Sequence, residues 1–157
     1  MMKSALIIFT VTLLVALGSL LIRPRDIPWA THLDRPKWLF FEPAIPLIWT
    51  VIFLCGAASA TLVWQQQSGH LTAWLLMGWY LLLEIVTVAY IPVTIRLHSL
   101  IVGTLLGAAG VGLGIGLMLV VGSISGWAAL LLLPYVLWSP IGTYATRRMI
   151  DLNPDAA

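Results

Sequence analysis

The sequence predicts an all-α integral membrane protein, a five-transmembrane-helix bundle with one long loop between helices 1 and 2. Three observations predict it. Of 157 residues, 61% are hydrophobic and only 9% charged, where a soluble domain carries about a quarter charged. The apolar residues fall into five blocks, about 5–22, 44–64, 71–95, 100–121 and 127–147, each close to the roughly 20 residues a helix needs to cross a bilayer. Joining stretches such as QQQSGH and GSISG allow only a turn between antiparallel neighbours, so residues 1–157 read as one membrane domain. Only the connection from about Arg23 to Pro43 is long.

The first block follows Lys3, and Ala16-Leu17-Gly18 would also suit a secretory cleavage site. Its length and the charge distribution favour a retained span. With five spans, Lys3 stands alone on one side, while Arg23, Arg25, Arg35, Lys37, Arg96, Arg147 and Arg148 share the other. Basic residues concentrate on the cytoplasmic face. The amino terminus is therefore expected outside the cytoplasm, with the long loop and the carboxyl terminus inside. The net charge of +2 follows from this anchoring to lipid headgroups and requires no nucleic acid.

In the second block Trp49, Phe53 and Gly56 share a helical face, and the single cysteine, Cys55, reads as a small hydrophobe. The third carries Glu84 near its middle, with Tyr80 and Thr87 about a turn to either side. An acid at that depth costs a few kcal/mol and marks a functional site by default. It can hold two helices together, line a ligand or proton path, or contact another membrane subunit. The fourth block places Gly103, Gly107, Gly110 and Gly114 on one face, the pattern of close helix approach. Packing inside one bundle and a homodimer seam both fit that face. In the fifth, Pro134, Trp138 and Ile141 share a face.

Of the eight tryptophans, Trp29, Trp38, Trp64, Trp74 and Trp127 lie near helix ends, where aromatic belts form. Trp49 and Trp138 lie deeper, where a buried indole needs a partner for its N–H or a polar ligand. No nucleotide loop, Cys/His metal spacing or Ser/His/Asp arrangement is present, so an enzyme of a familiar soluble type is not expected and no metal site is assigned.

The segments RPKWLFFEPAIPLIWTVIFLCGAASATLVW and LLPYVLWSPIGTYATRRMIDLNP resemble the two end signatures of the tryptophan-rich sensory protein family (TspO/MBR, the translocator proteins). Between them, MGWY and Pro92 fall near the expected places, so the resemblance covers about Trp29 to Pro154. It implies a five-helix bundle, often dimeric, with a pocket opening toward the side of the long loop. Family members bind tetrapyrroles such as protoporphyrin and haem, and some bind sterols or synthetic ligands. Carried over by position, Ile45, Trp49, Trp138 and Gly142 match pocket positions, and Arg35, Pro36 and Trp38 match the loop that lids it. Phe41, Phe53, Tyr80, Glu84, Thr87, Tyr90 and Tyr135 complete the expected ligand-binding set. Arg35 or Lys37 would pair with propionates, and the prolines would fix the loop's path. His32 and His98 are candidate axial ligands for haem, although histidines near membrane ends are usually just hydrated.

There are departures from the family pattern. Phe40-Phe41 stands where the family usually has Pro-Pro. Thr87, Val88 and Tyr90 replace an Asn-Trp pair and a further Trp, and Val102 replaces a common Trp. Glu84 is not a family residue, and Tyr144 lacks the Leu or Val that the proposed cholesterol pattern needs before it. Four functions follow from this mixture. They are a tetrapyrrole-binding sensor or regulator needing no further cofactor, a tetrapyrrole transporter, a light-dependent porphyrin-degrading enzyme, and a structural or assembly subunit of a larger membrane complex. The sensor is the expectation carried forward. Its partners would be the lipid membrane, a porphyrin, haem or other flat hydrophobic ligand, and a second copy of the chain.

Overall fold

The computed structural model describes residues 2–157. Its long helices are α1 (Met2–Ala16), α3 (Ile45–Gln67), α4 (Leu71–Leu97), α5 (Leu100–Gly122) and α6 (Gly126–Leu152), and a short helix α2 (Ile27–His32) lies in the loop between α1 and α3. Five stretches are long and apolar enough to span a bilayer, the first including a 3₁₀ extension to Leu20. The expected loop from Arg23 to Pro43 is thus partly ordered as helix. Pro24 and Pro28 sit at the starts of a 3₁₀ turn and of α2, where a missing N–H costs nothing.

Helix ends are set by local chemistry. Ser99 Oγ accepts from the Val102 amide at 3.3 Å, and Ser125 Oγ accepts from Ala128 at 3.4 Å, capping α5 and α6. Gly69 turns the chain between α3 and α4 with φ 89°, a conformation glycine adopts without steric cost. At the end of α4, His98 takes the left-handed conformation with φ 50°, which a non-glycine residue rarely adopts.

Helices α3, α6, α5 and α4 pack as a closed ring of neighbours, and α1 lies in the seam between α3 and α4. The core holds Val63, Leu76, Leu117, Val121 and Leu132 together with Tyr80 and Tyr135. Leu6, Leu13, Leu75, Leu105, Leu119 and Leu137 point outward, as a lipid-facing surface requires.

The α5 glycines belong to this ring. A Cβ placed on Gly103 would meet Thr94 Oγ1 at 2.6 Å, and one on Gly114 would meet Tyr135 Cε1 at 2.5 Å. Gly107 faces Thr143 and Gly110 faces the Tyr135 hydroxyl, while Gly112 has nothing within 4 Å. The face open in sequence to a homodimer seam is therefore occupied by the chain's own α4 and α6. The Tyr135 ring lies in the groove these glycines create.

Gly114→Ala should destabilise the bundle by about 1–3 kcal/mol through overpacking against Tyr135. Gly112→Ala should be neutral or stabilising by up to about 1 kcal/mol. Thermal unfolding midpoints in one detergent measure both.

Candidate functional site

The expected site residues divide between two concavities. The first lies inside the bundle, between α3, α4 and α6. Trp49, Phe53 and Gly56 line it from α3, Tyr80, Glu84 and Thr87 from α4, and Tyr135 from α6. It encloses about 30 Å³, room for one or two waters, where ligand pockets measure about 300–1,000 Å³.

Its hydroxyl groups and Glu84 Oε1 find partners within the chain. The Thr12 hydroxyl of α1 donates to Glu84 Oε1 at 2.6 Å. Tyr80 and Ser59 share a hydrogen bond of 2.6 Å, and Ser59 lies 2.7 Å from the Ala128 carbonyl. Thr87 pairs with the Tyr135 hydroxyl at 3.0 Å. Glu84 thus fastens the first span to the ring, as an acid in hydrocarbon must find a donor. Outside this concavity, Trp79 lies against Gly116 of α5, and its buried Nε1 has no hydrogen-bond partner among the described residues.

The second concavity is a groove of about 400 Å³ between α3 and α6, lined by Leu47, Ile48, Val51, Pro134, Trp138 and Ile141 among others. Leu47, Val51, Leu137 and Ile141 are exposed, so it opens sideways toward lipid. Trp49 and Trp138, expected in one pocket, therefore line different spaces. Ile52 lines both spaces. The Tyr135 ring packs against Trp49 at 6.1 Å between centroids and lies against the α5 glycines, while Trp138, about a turn later, lines the groove.

Over the groove's end lies the loop. Phe41 contacts Trp138 edge-on at 5.9 Å, Trp38 lies 6.3 Å from Phe41, and Trp38 stacks on Tyr144 at 6.0 Å. Phe40 meets Phe41 at 5.6 Å and is otherwise exposed. The Pro36 carbonyl accepts from the Leu39 amide at 2.9 Å, closing the turn that presents these rings. Asn153 pins the loop, its Oδ1 accepting from the Asp34 amide at 2.8 Å and its Nδ2 donating to the Asp34 carbonyl at 2.9 Å.

The remaining expected residues are held by other contacts. Arg35 is engaged inside the loop, 3.2 Å from Glu42 and 3.4 Å from the Ala30 carbonyl. Lys37 makes no ion pair among the described residues and is the available cation of the two. Tyr90 bonds to Thr146, and Tyr90, Ile45 and Gly142 line neither concavity. His32 bonds to the Pro28 carbonyl at 2.5 Å, and His98 faces Asp26. Thr12, Ser59 and the Asn153 clamp were not expected. Of these only Asn153 carried a sequence signal, as a polar residue closing the last helix before Pro154.

Five spans, a hydrogen-bonded polar interior and a loop clamped over one end define an integral, multi-pass membrane protein built as a four-helix ring with α1 in one seam. The TspO/MBR family model matches residues 6–151, and the chain belongs to that family. It is 29% identical over 157 residues to the Tryptophan-rich protein TspO of Bacillus cereus, covering 98% of this chain and 99% of that protein. It is 26% identical over 151 residues to the uncharacterized membrane protein YtaB of Bacillus subtilis, covering 95% and 96%.

A double-mutant cycle of Thr12→Val and Glu84→Leu should give a coupling energy of about 0.6–1.7 kcal/mol, the range of interhelical hydrogen bonds in membranes. Reversible unfolding in mixed detergent measures it, and additive effects would show that Glu84 does not hold α1.

Proposed function

We propose that this protein is a membrane tetrapyrrole-binding sensor or regulator whose ligand engages the Trp138 groove beneath the loop. The observation that carries this reading is the double contact of Trp138, which lines the groove and touches Phe41 of the loop at 5.9 Å. An indole face stacks favourably on a flat aromatic macrocycle. Lys37, beside Trp38, supplies a cation for a carboxylate at the ring's edge. A ligand against Trp138 displaces or orders Phe41, and the aromatic chain through Trp38 to Tyr144 carries that change into the clamped loop. Occupancy thereby becomes a change of surface that a partner can read. In this reading Glu84 and its neighbours hold the helices and do not touch the ligand. The basic loop faces the cytoplasm, in line with the distribution of Lys and Arg. The small interior volume favours a second reading, a structural subunit that keeps the fold without the ligand.

Titration of nanodisc-reconstituted protein with protoporphyrin IX and haem, followed by tryptophan quenching, tests this. Saturable binding near roughly micromolar concentration is expected, weakened about two- to tenfold by Trp138→Phe, the loss of one aromatic contact. Glu84→Gln should leave the affinity within about twofold. Absence of saturable binding would support the structural subunit, and selective loss in Glu84→Gln would move the ligand into the bundle.

A further inference from the structure

The walls of the α3–α6 groove are hydrocarbon along their whole length. Leu47, Ile48, Val51 and Ile52 form one wall on α3, and Pro134, Leu137, Trp138 and Ile141 form the other on α6. The Trp138 indole N–H is the one polar side-chain group among them. From Pro134 to Ile141 the α6 wall runs about 10 Å by helical rise. The mouth faces the bilayer, since Leu47 and Leu137, on opposite walls, are 68% and 61% exposed. A hydrocarbon chain arriving sideways from the membrane matches these walls better than a polar molecule arriving from water.

At the loop end the chemistry changes. Tyr144 continues the α6 face about one turn beyond Ile141, and Trp38 stacks on it at 6.0 Å. Lys37 and Trp38 are the two middle residues of the turn closed by the Pro36 carbonyl and the Leu39 amide, so Lys37 sits at the head of the groove. Arg35 pairs with Glu42, and Arg147 and Arg148 pair with Asp151, whereas Lys37 has no acid partner among the described residues. Asp34 also makes no ion pair among them. Its backbone, however, is bound to Asn153, nine residues beyond Tyr144 and roughly 13 Å further out by helical rise. Phe40, three residues after Lys37, is 85% exposed. A phenylalanine so placed beside a cation gains by entering the headgroup layer of a membrane.

We infer that the groove holds one acyl chain of an anionic phospholipid from the leaflet on the loop's side, with the lipid phosphate paired to Lys37. Hydrophobic walls take the chain, an unpaired cation takes the headgroup, and Phe40 seats the turn in the interface between them. The assignment does not rest on the tetrapyrrole reading, because it describes the groove before such a ligand arrives. A tetrapyrrole would have to displace the chain.

Delipidated full-length protein in a neutral detergent at low ionic strength, titrated with phosphatidylglycerol or phosphatidylcholine bearing the same oleoyl chains, tests this by native mass spectrometry. One phosphatidylglycerol should bind about fivefold more tightly than phosphatidylcholine, the effect of one lysine near an anionic headgroup. Lys37→Gln should bring the two lipids within about twofold of each other. Arg96→Gln, which removes an unpaired cation at the end of α4, away from the groove, should keep the preference. Val51→Trp, which fills the groove from an exposed position on its wall, should weaken both lipids at least fivefold with an unchanged unfolding midpoint. Equal binding of the two lipids by the parent overturns the assignment. So does a preference that survives Lys37→Gln or is lost equally in Arg96→Gln, since the basic end as a whole would then attract the lipid. Binding unaffected by Val51→Trp overturns it as well, because the chain would then lie outside the groove.

Discussion

Inside hydrocarbon a polar side chain has no water to turn to, and the interior of this bundle is arranged around that constraint. Thr12 satisfies Glu84, Ser59 satisfies Tyr80, Thr87 satisfies Tyr135, and Thr146 satisfies Tyr90. Each pair joins two different helices. The same hydrogen bonds that remove the cost of polarity also set which helices are neighbours, so satisfaction and topology are one solution. The α5 glycines complete it, because only their missing side chains let the Tyr135 ring come close enough to reach Thr87.

The consequence for the site is that Tyr135 occupies the middle of the ring. Its phenol reaches Thr87 of α4 and its ring lies against the α5 glycines, and about 30 Å³ is left inside. The larger space, about 400 Å³, is the α3–α6 groove with the loop over its end. That loop is tied at two points, to α6 through Asn153 and to the α4–α5 turn through Asp26. Both ties bring basic connections to one end of the bundle, where Arg23, Arg25, Arg35, Lys37, Arg96, Arg147 and Arg148 gather.

Much of this was legible in the sequence. The five spans follow from apolar block lengths, and the family from the Trp49 and Trp138 segments. The alignment of Tyr80, Glu84 and Thr87 on one face of α4 follows from helical periodicity. What the sequence does not carry is which helix each face meets. The α5 glycines fit a second copy as well as α6, and only the packed ring shows Thr143 and Tyr135 against them. Thr12 is one hydroxyl among many apolar residues, and nothing local marks it as the partner of an acid 72 positions away. Arg35 and Lys37 look equivalent in RPKW. Glu42, seven residues beyond Arg35, decides which of the two is engaged.

The claim on which this account rests is that ligand occupancy is felt by the loop through Trp138 while the polar interior stays closed. Amide hydrogen–deuterium exchange of the reconstituted protein with and without protoporphyrin IX tests it directly. The account predicts altered exchange in residues 33–44 with the middle of α4 around Glu84 unchanged. Altered exchange around Glu84 with residues 33–44 unaffected would contradict it, and would place the ligand within the bundle.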